Sequence, residues 1–226
     1  MYNLQYKNIN GTIVTRSKSK RVSCKDNNIS NCADSDDDEN DMKLAKKSIT
    51  KNNNHVYFHS EINRDSIFEM ITLIRKAELE NIIFAHTRCI TPIPIYLHIS
   101  SFGGNIFDAL TAIDVIQACK VPIHTIIEGA AASAATIISI VATKRYIRPN
   151  AYMLIHQLTA GSWGKMQELE DEFLNNKLIM DKLISIYKTH SSIPKTQLNE
   201  ILKHDLWWNA DTCLKYGLVD ELWTNA

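Results

Sequence analysis

The sequence has no surplus of charge of either sign: 25 Lys and Arg stand against 25 Asp and Glu, for a formal net charge of zero. That balance argues against a strongly basic nucleic-acid binder, although it leaves room for a local patch. Long apolar runs are missing too. The purest, Gly129 to Ala142, is built mostly of small side chains and falls short of the roughly 20 residues that a membrane span needs. A transmembrane protein is excluded. Cysteines are few: Cys24, Cys32, Cys89, Cys119 and Cys213 are odd in number, scattered and without a C-x-x-C. Neither a disulfide framework nor a zinc site is indicated, and a reducing compartment is expected. The chain contains no Walker-type Gly-Lys-Ser and no G-x-G-x-x-G, so nucleotide cofactors are unsupported.

What is present suits one globular domain with a tail: 226 residues, 45% hydrophobic and 22% charged. From Met1 to about Asn54 the chain is rich in Asn, Ser, Lys and Asp and poor in aromatics, with only basic charges from Lys7 to Lys25 and an acidic run from Asp34 to Asp41. Such a stretch buries too little apolar surface to offset its ordering entropy, so residues 1–54 are expected to form a disordered arm. Its basic start also fits an organellar transit peptide. It holds only Arg16 and Arg21 and no amphipathic period, which favours a solvated arm. The expected location is cytoplasmic, with the mitochondrial matrix or plastid as the alternative.

Residues 55–226 change texture to alternating strands and helices. Strands are expected at Val56–Phe58, Ile95–Ile99, Pro122–Ile127 and Tyr152–Ile155, with Leu218-Val219 returning to the sheet. Helices are expected after Asp65 as cap, after Gly103-Gly104, over Ala132–Ala142, over Trp163–His190, and after Asn209 up to Gly217. Strands alternating with helices of this length imply a layered α/β fold with parallel crossovers.

Three places bear chemistry. Ser133 lies where the strand running into Gly129 gives way to a helix of Ala and Ile. Its hydroxyl either meets free N–H groups that favour a developing negative charge or simply caps the helix. His156 closes a buried strand, where α/β folds place their sites, and imidazole titrates near neutral pH. It also reads as a hydrogen-bonded structural histidine, the commoner role of a lone strand-end histidine, with His98, His124, His190 and His204 as competitors. Gly103-Gly104 lets backbone N–H groups approach a ligand, or is just a turn.

Together, Tyr96-Leu97-His98-Ile99-Ser100-Ser101-Phe102-Gly103-Gly104, the serine segment Gly129–Ala135 and Met153-Leu154-Ile155-His156-Gln157 resemble the proteolytic subunits of the Clp protease, ClpP. The likeness runs from about His55 to Trp223 and includes Arg148-Pro149-Asn150 and Tyr216-Gly217-Leu218-Val219-Asp220. It implies a crotonase-like α/β fold with repeated ββα units and a protruding handle helix, and a Ser–His–Asp endopeptidase. Ser133 matches the nucleophile, His156 the base, and Asp205, at the family's spacing before Ala210, the aspartate. Gly104 and Ala134 match the oxyanion hole; Gly103, Leu158 and Thr159 fall in the substrate groove. The resemblance further implies self-assembly into two stacked heptameric rings and unfolded polypeptide substrates. These would be fed by a ring-shaped AAA+ unfoldase that supplies the ATP chemistry, with no cofactor, nucleic acid or membrane.

Phe102 and Leu158 stand where the family has proline. Neither change removes a catalytic group. Both bear on substrate alignment, where a misplacement of about an ångström costs roughly 10²-fold. The alternatives are a catalytically silent ring subunit paired with an active paralogue, an acyl-CoA enzyme on the same fold, and a serine–lysine peptidase, for which no lysine or membrane association can be placed.

Overall fold

A computed structural model describes residues 48–224. An α/β sheet of eight strands carries the chain, ordered β1 (Ile49–Asn52), β2 (His55–Phe58), β3 (Ile95–Ser101), β4 (Ile123–Ala132), β5 (Lys144–Ile147), β8 (Glu221–Leu222). The remaining strands, β6 (Tyr152–Leu154) and β7 (Trp207–Asn209), continue from β4. β1 and β2 form an antiparallel hairpin, whereas β2, β3, β4, β5 and β8 are parallel, as crossovers through helices require.

Strand β4 organises the sheet. Its first half pairs with β5, from His124↔Lys144 to Ile127↔Ile147. Its last residues, Ala130 to Ala132, pair instead with β6, from Tyr152 to Leu154. Gly129, at φ +66, sits between the two halves, and the β3 register shifts opposite it, between Ile99 and Ser101. Only a residue without Cβ adopts that φ at little cost, so the strand bends here and projects its end as a small β4–β6–β7 sheet.

Alternation along the strands makes one face apolar. Val56, Phe58, Leu97, Ile99, Ile123, Ile127 and Ile147 pack with Met70 and Ile74 of α1 (Arg64–Arg88), Ala109 and Ile113 of α2 (Ile106–Ala118) and Ile137 of α3 (Ala134–Ile140). The opposite face carries rings: Tyr57 stacks on His98, His55 on Tyr96, and Tyr146 meets Trp223 edge-on. The long helix α4 (Met166–His190) buries only Leu183, Ile186 and Tyr187, and leaves Phe173, Leu174 and Leu178 exposed. Helices α5 (Lys195–Ile201) and α6 (Ala210–Lys215) complete the chain.

Several sequence-based boundaries move. The strand Ile49–Asn52 falls inside the stretch expected to be an arm: Ile49 is buried, and Tyr96 N donates to Asn54 O at 2.9 Å, so the folded part begins before residue 55. The rest of the expected arm lies outside the described residues. β4 runs through the alanines to Ala132 instead of ending ahead of Gly129, because neighbours on both sides pair with it and override the weak strand propensity of Ala. Asn63, not Asp65, caps α1, through a reciprocal pair with Ser66 at 3.0 Å each way. The return strand forms at Glu221–Leu222, and β5 appears where no strand was expected.

Candidate active site

The bent end of β4 sets up the site. Ser133 follows Ala132 directly and turns the chain into α3 with φ 54 and ψ −126. Of the non-glycine residues with positive φ, Asn53 follows β1 at a hairpin turn and Cys89 caps α1 in the ordinary left-handed basin. Ser133 departs from that basin in ψ, a conformation that stores about 1–3 kcal/mol and persists only where the surroundings hold it. They do so here: Ser133 N donates to Leu154 O at 2.9 Å, and Ser133 O accepts from Thr136 N at 3.0 Å and from Thr136 Oγ1 at 2.6 Å. Although Ser133 occupies the cap position of α3, its side chain makes no capping bond. Among the described residues its hydroxyl has no hydrogen-bond partner. The capping alternative is therefore not what this hydroxyl does.

Strand registers bring the other two residues in. β6 lies parallel to β4 with Leu154 beside Ala132, so Ser133 comes alongside Ile155 and next to His156. β7 runs antiparallel to β6, pairing Tyr152 with Asn209, Met153 with Trp208 and Leu154 with Trp207. Continuing that register by two residues sets Asp205 opposite His156. Their side chains meet there, His156 Nδ1 to Asp205 Oδ1 at 2.7 Å. The imidazole is half-buried and the carboxylate largely exposed. Gln157 N donates to Leu202 O at 2.7 Å and ties the two segments together just beyond the pair. With Nδ1 donating to the carboxylate, Nε2 is the ring nitrogen left to accept a proton. No hydrogen bond joins it to Ser133 in this structure. In unliganded sites such bonds are often long and tighten with substrate.

The competing histidines lack that arrangement. His98 Nδ1 donates to Glu128 Oε1 at 2.9 Å, and its Nε2 lies 2.8 Å from His55 Nδ1. Both ring nitrogens are therefore taken. Burial holds both imidazoles below their ordinary range, against the pull of Glu128. His204 only approaches Glu200, at 3.6 Å on the next helical turn.

The glycine loop lies against the serine turn. A Cβ on Gly103, at φ +99, would sit 2.8 Å from Ser133 Cβ and from Ala132 O, and 3.1 Å from Ala134 N. Gly104 bridges to Ile62: Ile62 N donates to Gly103 O and Asn105 N to Ile62 O, each at 2.8 Å. In such a parallel bridge the flanking atoms carry the bonds, so the N–H of Gly104 itself points away from Ile62. Ala134 opens α3, and the first N–H groups of a helix have no intrahelical acceptor. Beyond His156, Leu158 is half-buried, its N–H 3.4 Å from Met180 Sδ, and Thr159 is exposed in a stretch before α4 that forms neither strand nor helix. Phe102 and Trp207, both exposed, meet edge to face at 6.2 Å between ring centroids.

Sequence reasoning missed Thr136, which touches this site, and Tyr187, which touches Thr136. Thr136 is fully buried, and its hydroxyl, besides bonding Ser133 O, lies 2.5 Å from the Tyr187 hydroxyl on α4. The available signal was a lone threonine one turn after Ser133 in a helix otherwise built of Ala, Ile and Ser.

The site defined this way is a serine on a strained strand-to-helix turn beside a carboxylate-oriented histidine, set at the strand ends of an α/β sheet. Residues 50–226 match the Clp protease family, and the chain belongs to it. It is 35% identical over 135 residues to the ATP-dependent Clp protease proteolytic subunit of Streptococcus mutans, a stretch covering 58% of this chain and 69% of that protein. Similarity to the subunit of the same name from Deinococcus radiodurans is 30% over 130 residues, 57% of this chain and 64% of that one. For Streptococcus thermophilus it is 33% over 135 residues, with coverage of 58% and 69%. The fold is accordingly ClpP-like and the function Clp protease-like, within a family of peptidases. Among the described residues no helix is long and apolar enough to cross a membrane.

Proposed function

We propose that the chain is a serine endopeptidase that hydrolyses peptide bonds of unfolded polypeptides. Ser133 Oγ attacks the carbonyl carbon while His156 Nε2 takes its proton. Asp205 accepts from Nδ1, holding the tautomer and stabilising the imidazolium. The N–H groups of Gly104 and Ala134 receive the oxyanion, a contribution of about 10²–10³ in rate for a single donor. As the C–N bond breaks, His156 gives the proton to the leaving amine, and Ser133 carries the acyl group as an ester. Water then attacks the ester with His156 again as base, the acid product leaves, and Ser133 regains its proton. The groove beside Gly103, Leu158 and Thr159 aligns the substrate. The chemistry calls for no cofactor on this chain.

One observation carries the reading: the β6–β7 register that sets Asp205 against His156 at 2.7 Å, next to a serine hydroxyl that caps nothing. Family membership supports the wider setting of stacked heptameric rings, an AAA+ Clp-type unfoldase as partner and a cytoplasmic location. The exposed Phe173, Leu174 and Leu178 of α4 supply an apolar edge for stacking. The missing Ser133–His156 hydrogen bond is compatible both with a resting active site and with a second reading, a silent ring subunit.

Fluorophosphonate labelling with mass spectrometry, alongside hydrolysis of a short fluorogenic peptide, separates the two. The adduct is expected on Ser133, and Ser133→Ala should lower turnover by roughly 10⁶-fold. Undiminished hydrolysis in that variant refutes the assignment; absence of any adduct identifies the silent subunit.

A further inference from the structure

The peptide unit that follows Ser133 has two ends. Its N–H belongs to Ala134 and its C=O to Ser133, so whatever holds the carbonyl also aims the N–H. Ser133 O accepts from Thr136 N and, more closely, from Thr136 Oγ1 at 2.6 Å. A carbonyl oxygen only accepts, and a threonine hydroxyl has a single proton, so that proton points to Ser133. The 2.5 Å contact between Thr136 Oγ1 and the Tyr187 hydroxyl must then use the tyrosine proton. The direction of the chain follows: Tyr187 O–H donates to Thr136, and Thr136 O–H donates to the Ser133 carbonyl. Both side chains are buried in the core, with relative exposures of 0% for Thr136 and 2% for Tyr187. Burial holds the phenol well above its ordinary range, so it remains a donor.

From this geometry we infer that Thr136 and Tyr187 are positioning residues for the oxyanion hole, acting on the Ala134 N–H through the Ser133 carbonyl. Successive hydrogen bonds polarise one another, and a polarised carbonyl makes its own amide N–H a stronger donor. Two bonds on one carbonyl also fix the peptide plane at the strained ψ of −126. Tyr187 lies on α4 and Thr136 on α3, so the relay ties the serine turn to the long helix. The inference depends on Ser133 being the nucleophile.

The test uses the full chain in its native assembly with Thr136→Val, Thr136→Ser and Tyr187→Phe. Labelling rates at Ser133 by a fluorophosphonate are measured together with kcat and KM for a short fluorogenic peptide, each normalised to labelled sites so that only folded enzyme counts. Thr136→Val is expected to lower kcat about tenfold or more, a part of what loss of an oxyanion donor removes. KM should stay within about twofold, since the interaction matters chiefly in the transition state. Thr136→Ser, which keeps the donor, recovers most of the rate, and Tyr187→Phe, which removes only the polarising end, costs a few-fold. The pH–rate profile keeps its midpoint because the His156–Asp205 pair is untouched. Unchanged per-site kcat and labelling in Thr136→Val, or in Tyr187→Phe should the valine variant not fold, overturns the inference while leaving the peptidase reading intact. A wild-type chain that neither labels nor hydrolyses overturns both.

Discussion

Gly103→Ala probes the packing on which the proposed chemistry depends. At φ +99 an alanine is strained by about 1–3 kcal/mol before any contact is considered. Its Cβ would arrive 2.8 Å from Ser133 Cβ and Ala132 O, where ordinary contact begins at 3.4 Å. Closing that gap takes a shift of about half an ångström. Neither neighbour is the free end of a flexible side chain: one is backbone and the other the Cβ of the proposed nucleophile. Because a misplacement of about 1 Å can cost roughly 10²-fold, about half that distance predicts a loss near tenfold in kcat. Gly104→Ala is expected to behave differently: its Cβ would collide with Ile62 O, so that variant must break the Ile62 bridge, losing thermal stability as well as the aim of the Gly104 N–H. The assay is peptide hydrolysis per fluorophosphonate-labelled site, read beside the melting temperature of each variant. Wild-type kcat and melting in Gly103→Ala would mean that the loop does not press on Ser133.

Further outcomes follow from the same contacts. A truncation that ends at Asn54 should be less stable than one that ends at Lys47. It removes buried Ile49, the β1 pairing and the bonds from Asn54 to Pro94 and Tyr96. Burial of Ile49 alone accounts for about 1.5–3 kcal/mol, and equal denaturation midpoints would refute the edge-strand role. Acid should destabilise the sheet's ring-bearing face, since His55, His98 and His124 are all held by burial below the ordinary imidazole value of 6.5. The unfolded chain takes up those protons first, so stability falls as pH drops below about 6.5. Glu128, held low by its bonds to His98 and Arg148, adds a loss only at still lower pH. His98→Gln should flatten the upper part of the curve, measured by denaturant midpoints between about pH 7.5 and about pH 5. An unchanged slope would refute the assignment of that loss to the His98 network.

The legible parts of the site were those where chemistry restricts the residue type locally. Gly103 and Gly104 adopt φ values that glycine alone takes easily, and Ser133 and His156 stand out at ends of apolar strands. Thr136 and Tyr187 were not legible, because a threonine in a helix and a tyrosine on an apolar helix face look like ordinary core until tertiary packing brings them to 2.5 Å. Strand β5 escaped for a related reason. Of its four residues only Ile147 is fully buried, so the period-2 signal on which strand recognition depends is nearly absent.

Asp205 shows how structure adds what spacing alone could not. Asp205, Asp211 and Asp220 all lie near the last helix, and residue type does not separate them. Asp220 is already engaged by Arg145, whose backbone N and Nε donate to Oδ2 at 2.8 and 3.1 Å. Asp211 lies in the first turn of α6, where a carboxylate favours the helix start. That leaves Asp205, one residue before the leucine that leads into β7. The antiparallel pairing advances one residue on β6 for each residue it retreats on β7. A ladder that joins Leu154 to Trp207, continued by two residues, brings residue 156 to residue 205, where the 2.7 Å contact is found. A single-residue insertion between Asp205 and Trp207 would break that match and turn the carboxylate to the other face of the strand. The His156–Asp205 contact is thus a consequence of strand register, set by the β6–β7 ladder.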